Sequence, residues 1–208
     1  MSAGAKIARE PGERVFINVG CGPAGSGWLP ALFNDWRQLR VDVDPAVGPD
    51  IVGSATDLSA VESGSVAGIW SAHCIEHLYA HEVARAFAEF HRVLADDGFA
   101  CIIVPDLQTI ARHVVSDRLH EVLYESPAGP VTAHDVLFGF GPAIAMGRVS
   151  MAHRCGFTPT LMLTRLKEAS FAEIVLRRRP SLELAAVIRK RPSADAAERE
   201  ALLARLEL

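Results

Sequence analysis

The feature that most constrains this chain is a short apolar run that leads directly into a glycine-rich loop. Residues 15–19 (VFINV) are β-branched or aromatic at four of five positions and too few for a helix, which predicts a buried strand of a parallel sheet. Glycines follow at positions 20, 22, 25 and 27, where the chain can turn sharply and a ligand can approach bare main chain. Because backbone N–H groups at such a turn can bind an electronegative group, the stretch predicts a ligand-binding loop.

The glycine spacing also matches a dinucleotide-binding pattern. Gly20-x-Gly22-x-x-Gly25 has the order G-x-G-x-x-G, and Asp42 and Asp44 end the next predicted strand, so a nicotinamide cofactor is one candidate occupant. However, residues 23–27 (PAGSG) are poor helix material, whereas a Rossmann helix normally begins directly after the second glycine. An NAD-binding oxidoreductase therefore stays open as an alternative.

The apolar runs that follow alternate between strand and helix patterns. Short β-rich runs predict strands at residues 39–43, 50–52, 66–72, 99–104, 171–176 and 182–188. Helices are predicted at 28–36, 75–94, 158–169 and 193–207, the last with Asp195 and Glu198 in N-cap and N3 spacing. This order predicts an α/β fold: a Rossmann-like doubly wound sheet, mostly parallel with an antiparallel last strand, in a three-layer α-β-α arrangement.

The length of 208 residues fits one main domain with small additions. We expect an N-terminal lead-in at residues 1–12, the main domain at 13–192 and a C-terminal helix at 193–208. Within the main domain, residues 106–157 lose clear periodicity and contain three prolines, at 127, 130 and 142. Because this stretch is too long for a connection inside a compact domain, it predicts an insertion that covers a substrate.

Charge and composition exclude several classes of function. A net charge of −4 gives no general attraction to nucleic acid or to an anionic membrane, so we expect neither partner. The basic runs at 177–179 and 189–191 are expected to be surface charge at strand ends.

No apolar run is long enough to span a membrane, and the first ten residues lack the apolar core of a secretory signal. Four widely spaced cysteines without a C-x-x-C pair favour a location in the reducing cytoplasm. We expect the protein to be a monomer or a homodimer.

Polar residues follow each of the first four predicted strands. They lie at 18–22, 42–44, 54–57 and 71–77. Because ligands bind outside the carboxyl ends of the strands in an open parallel sheet, we expect these residues to converge on one crevice. A carboxylate after the second strand can accept two hydrogen bonds and suits the two hydroxyls of a ribose, which makes Asp42 and Asp44 candidate ligand-binding residues.

The stretch His73-Cys-Ile-Glu-His77 has the H-x-x-E-H pattern of the inverted zinc peptidases. That mechanism needs both histidines one turn apart within a helix, a third ligand elsewhere and the glutamate as general base. Here His73 directly follows the predicted strand at 66–72, so the two histidines are not expected to share a helical face. We therefore expect no metal site, and a zinc peptidase is the weakest alternative.

Several motifs, taken together and in order, resemble one known family. Ile17-Asn-Val-Gly-Cys-Gly22, Val41-Asp-Val-Asp-Pro45, Asp57-Leu58 and Ser71-Ala-His-Cys-Ile-Glu-His-Leu78 are similar to motifs of the class I S-adenosylmethionine-dependent methyltransferases. More narrowly, they resemble a short bacterial branch with an H-x-x-E-H-L motif after the fourth strand, as do the stretches at 134–135, 153–158 and 166–171. The resemblance covers residues 14 to about 189 and implies S-adenosylmethionine as the cofactor.

The resemblance also implies a set of cofactor-binding residues. These are Asn18, Gly20, Cys21, Gly22, Asp42, Asp44, Ser54, Ala55, Asp57, Ser71 and His73. The glycine loop would pass the methionine part, Asp42 would bind the ribose hydroxyls, residues 54–57 would flank the adenine and residues 71–73 would border the sulfonium. Asn18 stands where many relatives have an acid, and Ser54 stands where an aspartate often meets the adenine amine.

Methyl transfer is an in-line displacement for which the enzyme aligns the acceptor and, at oxygen or nitrogen, removes a proton. Histidine suits that proton transfer near neutral pH, and an aspartate could orient a histidine or act as the base. The candidate catalytic residues are His73, His77, His134, Asp135 and His153.

Because no Asn-Pro-Pro-Tyr-type amine motif follows the fourth strand, we expect O-methylation of a small or sugar-like metabolite, with a saccharide as one candidate. A non-catalytic binding module with the S-adenosylmethionine fold stays open as an alternative.

Overall fold

The computed structural model describes residue 10, residues 12–25 and residues 27–208, so the predicted lead-in at 1–12 lies almost wholly outside the described residues. The strands of this part of the chain are β1 (Val15–Val19), β2 (Arg37–Asp42), β3 (Ile51–Val52), β4 (Val66–Ala72), β5 (Leu94–Pro105), β6 (Val122–Ser126), β7 (Gly129–Thr132), β8 (Glu173–Arg179) and β9 (Glu183–Arg189). Its α-helices are α1 (Val83–Val93), α2 (Leu107–Val115), α3 (Ala133–Phe138), α4 (Gly141–Ala145), α5 (Pro159–Glu168) and α6 (Ala196–Arg205). None of the helices in the described residues has the length and apolar character needed to cross a membrane.

Seven strands form one sheet in the order β3-β2-β1-β4-β5-β9-β8. Neighbouring strands from β1 to β5 are parallel, and β9 is antiparallel to both of its neighbours. Ile17 of β1 lies opposite Leu39 of β2 and Ile69 of β4. All five residues of β1 are buried, so the apolar run at 15–19 is an interior strand of the sheet. The predicted fold class, a mostly parallel Rossmann-like sheet with an antiparallel last strand, is confirmed.

Apolar side chains cover both faces of this sheet, as the predicted three-layer arrangement requires. On one face, α1 and α5 bury side chains such as Phe87 and Leu166 against the strands. On the other face, α6 contributes Leu203, and a 3-10 turn at Ala31–Phe33 contributes Phe33, whose ring stacks on that of Phe16 at 4.2 Å. Removal of this apolar surface from water, at roughly 25 cal/mol per Å², holds the layers together.

Two helices are shorter than the sequence pattern predicted. The region at 28–36 contains only the 3-10 turn Ala31–Phe33, because Pro30 before it has an extended backbone with ψ 144°. The region at 75–94 begins with a 3-10 turn at Ile75–His77, after which Leu78 is extended with ψ 151°. That extended residue interrupts the helical hydrogen-bond ladder, and α1 begins only at Val83.

The segment at 106–157 contains more regular structure than its sequence pattern predicted. β6 and β7 pair as an antiparallel hairpin, and α2 packs with the hairpin and α3 around a small core of Ile110, Val131 and Val136. The sequence pattern does not reveal the hairpin because Pro130 lies within β7 and most of β6 is exposed, so the period-2 alternation of a half-buried strand is weak.

Candidate functional site

A cavity of about 740 Å³ opens at the carboxyl ends of the parallel strands. One end of it is formed by the glycine loop and by residues that follow β2 and β3, and the other end by residues that follow β4, by the insertion and by the β8–β9 turn. The sequence-predicted site residues that line it are Asn18, Gly20, Cys21, Gly22, Asp42, Asp44, Ser54, Ala55, His73 and His77. The fold therefore brings most of the predicted residues together in one crevice.

The glycine loop lies very close to the chain that follows β4. Gly20 has a φ of +72°, and a Cβ atom built on it would lie 2.7 Å from the Cβ of Cys74, so no larger residue fits there without movement. The N–H groups of Gly20 and Cys21 both donate to the carbonyl of Val41, at 2.9 and 3.2 Å, and that of Gly22 donates to Oδ2 of Asp42 at 2.9 Å. Because these three N–H groups are engaged, the loop offers close approach to main chain rather than an anion-binding nest.

Asp42 is the half-buried last residue of β2, and its carboxylate is held from two sides. Oδ2 accepts the N–H of Gly22, and Oδ1 accepts the N–H of Asp44 at 3.0 Å. Each carboxylate oxygen has two lone pairs, so both oxygens keep acceptor capacity. Asp44 also lines the cavity, but its Oδ1 accepts the N–H of Ala46 and caps the 3-10 turn Pro45–Val47. Asp42 is thus the rigidly positioned carboxylate of the two.

The residues expected near the adenine and the sulfonium divide into two groups. Ser54 and Ala55 line the cavity, with Oγ of Ser54 accepting the N–H of Thr56. Asp57 is exposed outside the cavity, where hydrogen bonds from Ser59 hold the pKa of its carboxyl below the ordinary value. Ser71 is fully buried within β4 and does not reach the cavity wall. Asp57 and Ser71 are therefore not brought to this crevice.

His73 lies on the cavity wall between two carboxylates. Its Nε2 is 2.9 Å from Oε1 of Glu183, and its Nδ1 is 3.3 Å from Oε1 of Glu76. Burial opposes the charged ring, but the hydrogen bond to Glu183 and the ion pair with Glu76 outweigh burial and raise the pKa of His73 to about 10. His73 is therefore a cation at neutral pH that links the turn after β4 to the start of β9.

His77 also borders the cavity, and His153 lies behind it. Nδ1 of His77 is 3.1 Å from the carbonyl oxygen of Ala152, and Nδ1 of His153 is 3.0 Å from the carbonyl oxygen of Val136. The two imidazole rings pack edge to face, with centroids 4.9 Å apart. His153 does not line the cavity, and burial lowers its pKa, so its ring is neutral at neutral pH.

The remaining two candidate catalytic residues lie outside the cavity. His134 is exposed on α3, and its ring packs against those of His120 and Phe138. Asp135 forms a capping box with Thr132 at the start of α3 and also accepts the N–H of Gly141 at 2.9 Å. Its carboxylate is thus engaged in holding the helix start and the following turn.

The far end of the cavity is lined by polar and aromatic residues that the sequence interpretation missed. They are Trp28, Arg148, Ser150, Arg154, Arg179, Ser181 and Glu183.

The basic run at 177–179, which was expected to be surface charge, is divided between different surroundings. Arg177 pairs with Glu200 on the surface at 3.7 Å, whereas Arg178 pairs with buried Asp106 at 2.8 Å. Arg179 faces the cavity, with its guanidinium 5.4 Å from the ring of Trp28. Strand alternation alone does not separate Arg177 from Arg179, because both lie on the same side of β8.

The geometry bears on two of the alternatives left open by the sequence. Among the described residues, no α-helix begins between the glycine loop and β2, so the helix N-terminus that binds the pyrophosphate of a dinucleotide is missing there. Residues 75–77 form a 3-10 turn after His73, which itself has a φ of +51°. His73 and His77 therefore do not share one α-helical face, as the inverted zinc peptidases require.

Comparison with known proteins agrees with this geometry. A family profile described as a methyltransferase domain matches residues 17–102, which span β1 to β5 and the glycine loop. No curated protein matches the chain significantly.

Solved structures of similar fold cover most of the chain at low sequence identity. A protein from Pyrococcus horikoshii OT3 has a TM-score of 0.58 and 15% identity, over 86% of this chain and 82% of that one. An S-adenosylmethionine-dependent methyltransferase from Archaeoglobus fulgidus has a TM-score of 0.54 and 12% identity, over 86% and 87%. The 1,6-didemethyltoxoflavin N1-methyltransferase of Burkholderia thailandensis, solved with S-adenosylhomocysteine, has a TM-score of 0.50 and 16% identity, over 86% and 72%.

The solved structures show that the chain has the class I methyltransferase fold, and the methyltransferase-domain profile matches residues 17–102 of it. They support two predictions made from the sequence, an enzyme of the methyltransferase type and S-adenosylmethionine as its cofactor.

Proposed function

We propose that this protein transfers the methyl group of S-adenosylmethionine to an oxygen atom of a small, sugar-like acceptor. The observation that carries the proposal is the single cavity at the carboxyl ends of the strands. It joins the glycine loop and Asp42 at one end to a cluster of polar side chains and Trp28 at the other. A methyl donor and an acceptor bound in these two halves would meet near His73 and His77.

The glycine-loop end suits an adenosyl and amino-acid cofactor better than a dinucleotide. Its N–H groups at positions 20–22 are bonded within the protein, so they do not provide a site for a pyrophosphate. In contrast, the carboxylate of Asp42 keeps acceptor capacity for the two ribose hydroxyls. Ser54 and Ala55 border the same end and are proposed to flank the adenine, while Asn18, Gly20, Cys21 and Gly22 pass along the methionine part.

The opposite end has the chemistry expected for a polyhydroxylated acceptor. Arg179 and Glu183 from the β8–β9 turn region pair with each other at 3.3 Å and provide a donor and an acceptor of charge-assisted hydrogen bonds. The hydroxyl of Ser150 can both donate and accept, and that of Ser181, which donates to Glu183, can still accept. Trp28 is 43% exposed and offers an apolar face for a ring. This mixture of hydrogen-bonding groups and one aromatic surface supports a hydroxyl-bearing ring as the acceptor.

The insertion at 106–157 is proposed to cover the acceptor. Its small core around Ile110 joins its helices to the β6–β7 hairpin and contacts Leu182 at the β8–β9 turn. Arg148, Ser150 and Met151 from its last part line the cavity. Of the five candidate catalytic residues, His73 and His77 border the cavity.

The resemblance to the H-x-x-E-H-L branch also favours a role in a bacterial saccharide or secondary-metabolite pathway. The four free cysteines favour a location in the cytoplasm.

The test is a methyl-transfer assay with isotopically labelled S-adenosylmethionine and a panel of monosaccharides, nucleotide-linked sugars, phenols and amines. We expect label to move to a hydroxyl oxygen, identified by mass spectrometry and NMR. The variant Arg179→Met is expected to raise the acceptor KM roughly 10- to 100-fold, because a charge-assisted hydrogen bond is lost. Its affinity for S-adenosylhomocysteine should stay unchanged.

Arg177→Met is the matched control, since Arg177 lies on the same strand but pairs with Glu200 outside the cavity. Arg177→Met should change neither the acceptor KM nor the affinity for S-adenosylhomocysteine. Transfer to amines alone, or an unchanged KM in Arg179→Met, would contradict the proposed acceptor site. Cofactor binding without transfer to any acceptor class would instead favour the non-catalytic binding module.

A further inference from the structure

Three potential metal ligands converge behind the cavity wall. One carboxylate oxygen of Glu76, one ring nitrogen of His77 and one ring nitrogen of His153 all lie within 4.8 Å of one another. Glu76 and His77 belong to the turn after β4, and His153 comes from the end of the insertion. The cluster is separate from the glycine loop and from Asp42, which the proposed cofactor site uses.

The orientation of the two histidine rings is fixed by backbone carbonyls. Nδ1 of His77 is 3.1 Å from the oxygen of Ala152, and Nδ1 of His153 is 3.0 Å from the oxygen of Val136. Because a carbonyl oxygen can only accept a hydrogen bond, each Nδ1 donates its proton to that oxygen, and Nε2 is the ring nitrogen that is left to bind a metal ion. Histidines that bind metals in proteins are oriented by this same kind of outer hydrogen bond.

Glu76 adds a third group that can only accept. Its side chain is 1% exposed, and neither of its carboxylate oxygens has a hydrogen-bond partner among the residues that the structure describes. The nearest cation is His73, whose Nδ1 lies 3.3 Å from Oε1, and whose other nitrogen already pairs with Glu183. A buried carboxylate without hydrogen bonds is costly, and the ion pair between His73 and Oε1 leaves Oε2 without any partner in the part of the chain that the structure describes.

The backbone around these ligands is held in place before any ion binds. The N–H groups of Arg154 and Cys155 donate to the carbonyl of Glu76 at 2.8 and 3.2 Å, and the N–H of His153 donates to the carbonyl of Phe138 at 3.0 Å. The turn after β4 and the end of the insertion are thus joined on both sides of His153. Such preorganisation reduces what a metal must reorder on binding.

We propose that Glu76, His77 and His153 form a binding site for one divalent transition-metal ion, with Zn²⁺ as the best-fitting probe. Two imidazoles and one carboxylate are a ligand set that suits zinc and other first-row ions and leaves coordination positions open. His77 lies on the cavity wall, so the ion would border the acceptor half. This assignment makes His77 a metal ligand rather than a proton acceptor, and it replaces the expectation of no metal that the sequence pattern gave.

The site differs from the zinc-peptidase arrangement that the H-x-x-E-H pattern suggested. In that arrangement both histidines of the motif bind the ion and the glutamate acts as a base. Here the glutamate itself is a ligand, His73 is tied to Glu183, and the second histidine ligand comes from His153, which lies far along the chain. The inference rests on this juxtaposition alone and does not depend on the identity of the methyl acceptor.

The test is isothermal titration of purified, tag-free protein, stripped with a chelator and then titrated with Zn²⁺ and with Mn²⁺. We expect one Zn²⁺ per chain, and we expect His77→Gln and His153→Gln each to weaken its binding at least about 100-fold, because each removes a direct ligand. His134→Gln is the matched control, since His134 is exposed on α3 outside the cluster, and it should bind Zn²⁺ like the wild type.

Circular dichroism and S-adenosylhomocysteine binding report whether each variant folds. If a histidine variant does not fold, Glu76→Gln, which keeps the size of the side chain, is expected to lose Zn²⁺ affinity in the same way. The proposal is overturned if the wild type binds no stoichiometric Zn²⁺, or if folded His77→Gln and His153→Gln bind it like the wild type. It is equally overturned if Cys155→Ser, and not the histidine variants, abolishes binding, because the site would then be a thiolate site.

Discussion

At the scale of single residues, Asp42 connects the loop geometry to ligand binding. Its two oxygens accept N–H groups from Gly22 and Asp44, which fixes the carboxylate and the end of the glycine loop relative to each other. The same carboxylate lines the cavity. One side chain therefore sets the shape of the loop and offers the acceptors that a ribose needs.

The substitution Asp42→Ala should weaken S-adenosylhomocysteine binding roughly 10- to 100-fold. The physical reason is the loss of charge-assisted hydrogen bonds worth about 1.5–3 kcal/mol. Titration calorimetry measures the change directly. Asp50→Ala is the matched control, because Asp50 is an exposed aspartate that accepts the N–H of Arg40 at 2.8 Å but does not line the cavity. Equal affinity in Asp42→Ala and wild type would mean that another group binds the ribose.

Residues directly after predicted strands could be located from the sequence, whereas residues on the second half of the cavity could not. The position of Asp42 follows from the rule that ligands bind at the carboxyl ends of parallel strands. The positions of Arg179 and Glu183 depend on the register of the β8–β9 hairpin, which the sequence pattern does not fix. Asp57 shows the limit of the rule, because a local turn with Ser59 directs its carboxylate to the surface.

At the scale of secondary-structure elements, the start of α3 is stabilised by Asp135 rather than by packing alone. Its Oδ2 accepts from the backbone N–H and the hydroxyl of Thr132, and its Oδ1 accepts from Gly141. Burial alone raises the pKa of Asp135, but the bonds from Thr132 and Gly141 outweigh it and hold the pKa below its ordinary value of 3.8. A carboxyl group with a lowered folded-state pKa stabilises the fold above its unfolded pKa and loses that contribution as the pH falls.

We therefore expect Asp135→Ala to lower the free energy of unfolding by roughly 1–2 kcal/mol at neutral pH. The difference from wild type should shrink as the pH falls below about 3.8, since the carboxyl group is then protonated in the unfolded state and, at a still lower pH, in the folded state as well. Urea unfolding at a series of pH values measures both effects. Asp35→Ala, at an exposed position, should change stability by less than about 0.5 kcal/mol. A pH-independent difference would show that the carboxylate charge does not stabilise the helix start.

Elements with a strong apolar period were predictable, and elements defined by local turns were not. β4 has the predicted bounds of 66–72, and the predicted cap Asp195 accepts the N–H of Glu198 at the start of α6. The late start of α1 follows an extended backbone at Leu78, and leucine is not an intrinsic helix breaker that the sequence could reveal. The β6–β7 hairpin was hidden for a similar reason, because its exposed residues leave no alternation to detect.

At the scale of the whole molecule, the cavity is assembled from distant parts of the chain. The glycine loop, the turn after β4, the end of the insertion and the β8–β9 turn all meet at one edge of the sheet. The parallel order of the strands places the first two there. β8 brings the chain back to the same edge, where β9 begins opposite the end of β5. The cavity thus has two halves. The residues of the cofactor half can be predicted from the sequence that follows the first strands, whereas those of the acceptor half are brought together only by the complete fold.

The central claim is that this cavity binds S-adenosylmethionine and its product rather than a dinucleotide. The most direct measurement is calorimetric titration of the purified wild-type protein with S-adenosylhomocysteine and, separately, with NAD. We predict saturable binding of one S-adenosylhomocysteine per chain with a Kd on the order of micromolar, and no binding of NAD up to millimolar concentrations. Binding of NAD with higher affinity, or no heat from S-adenosylhomocysteine at millimolar concentration, would contradict the claim.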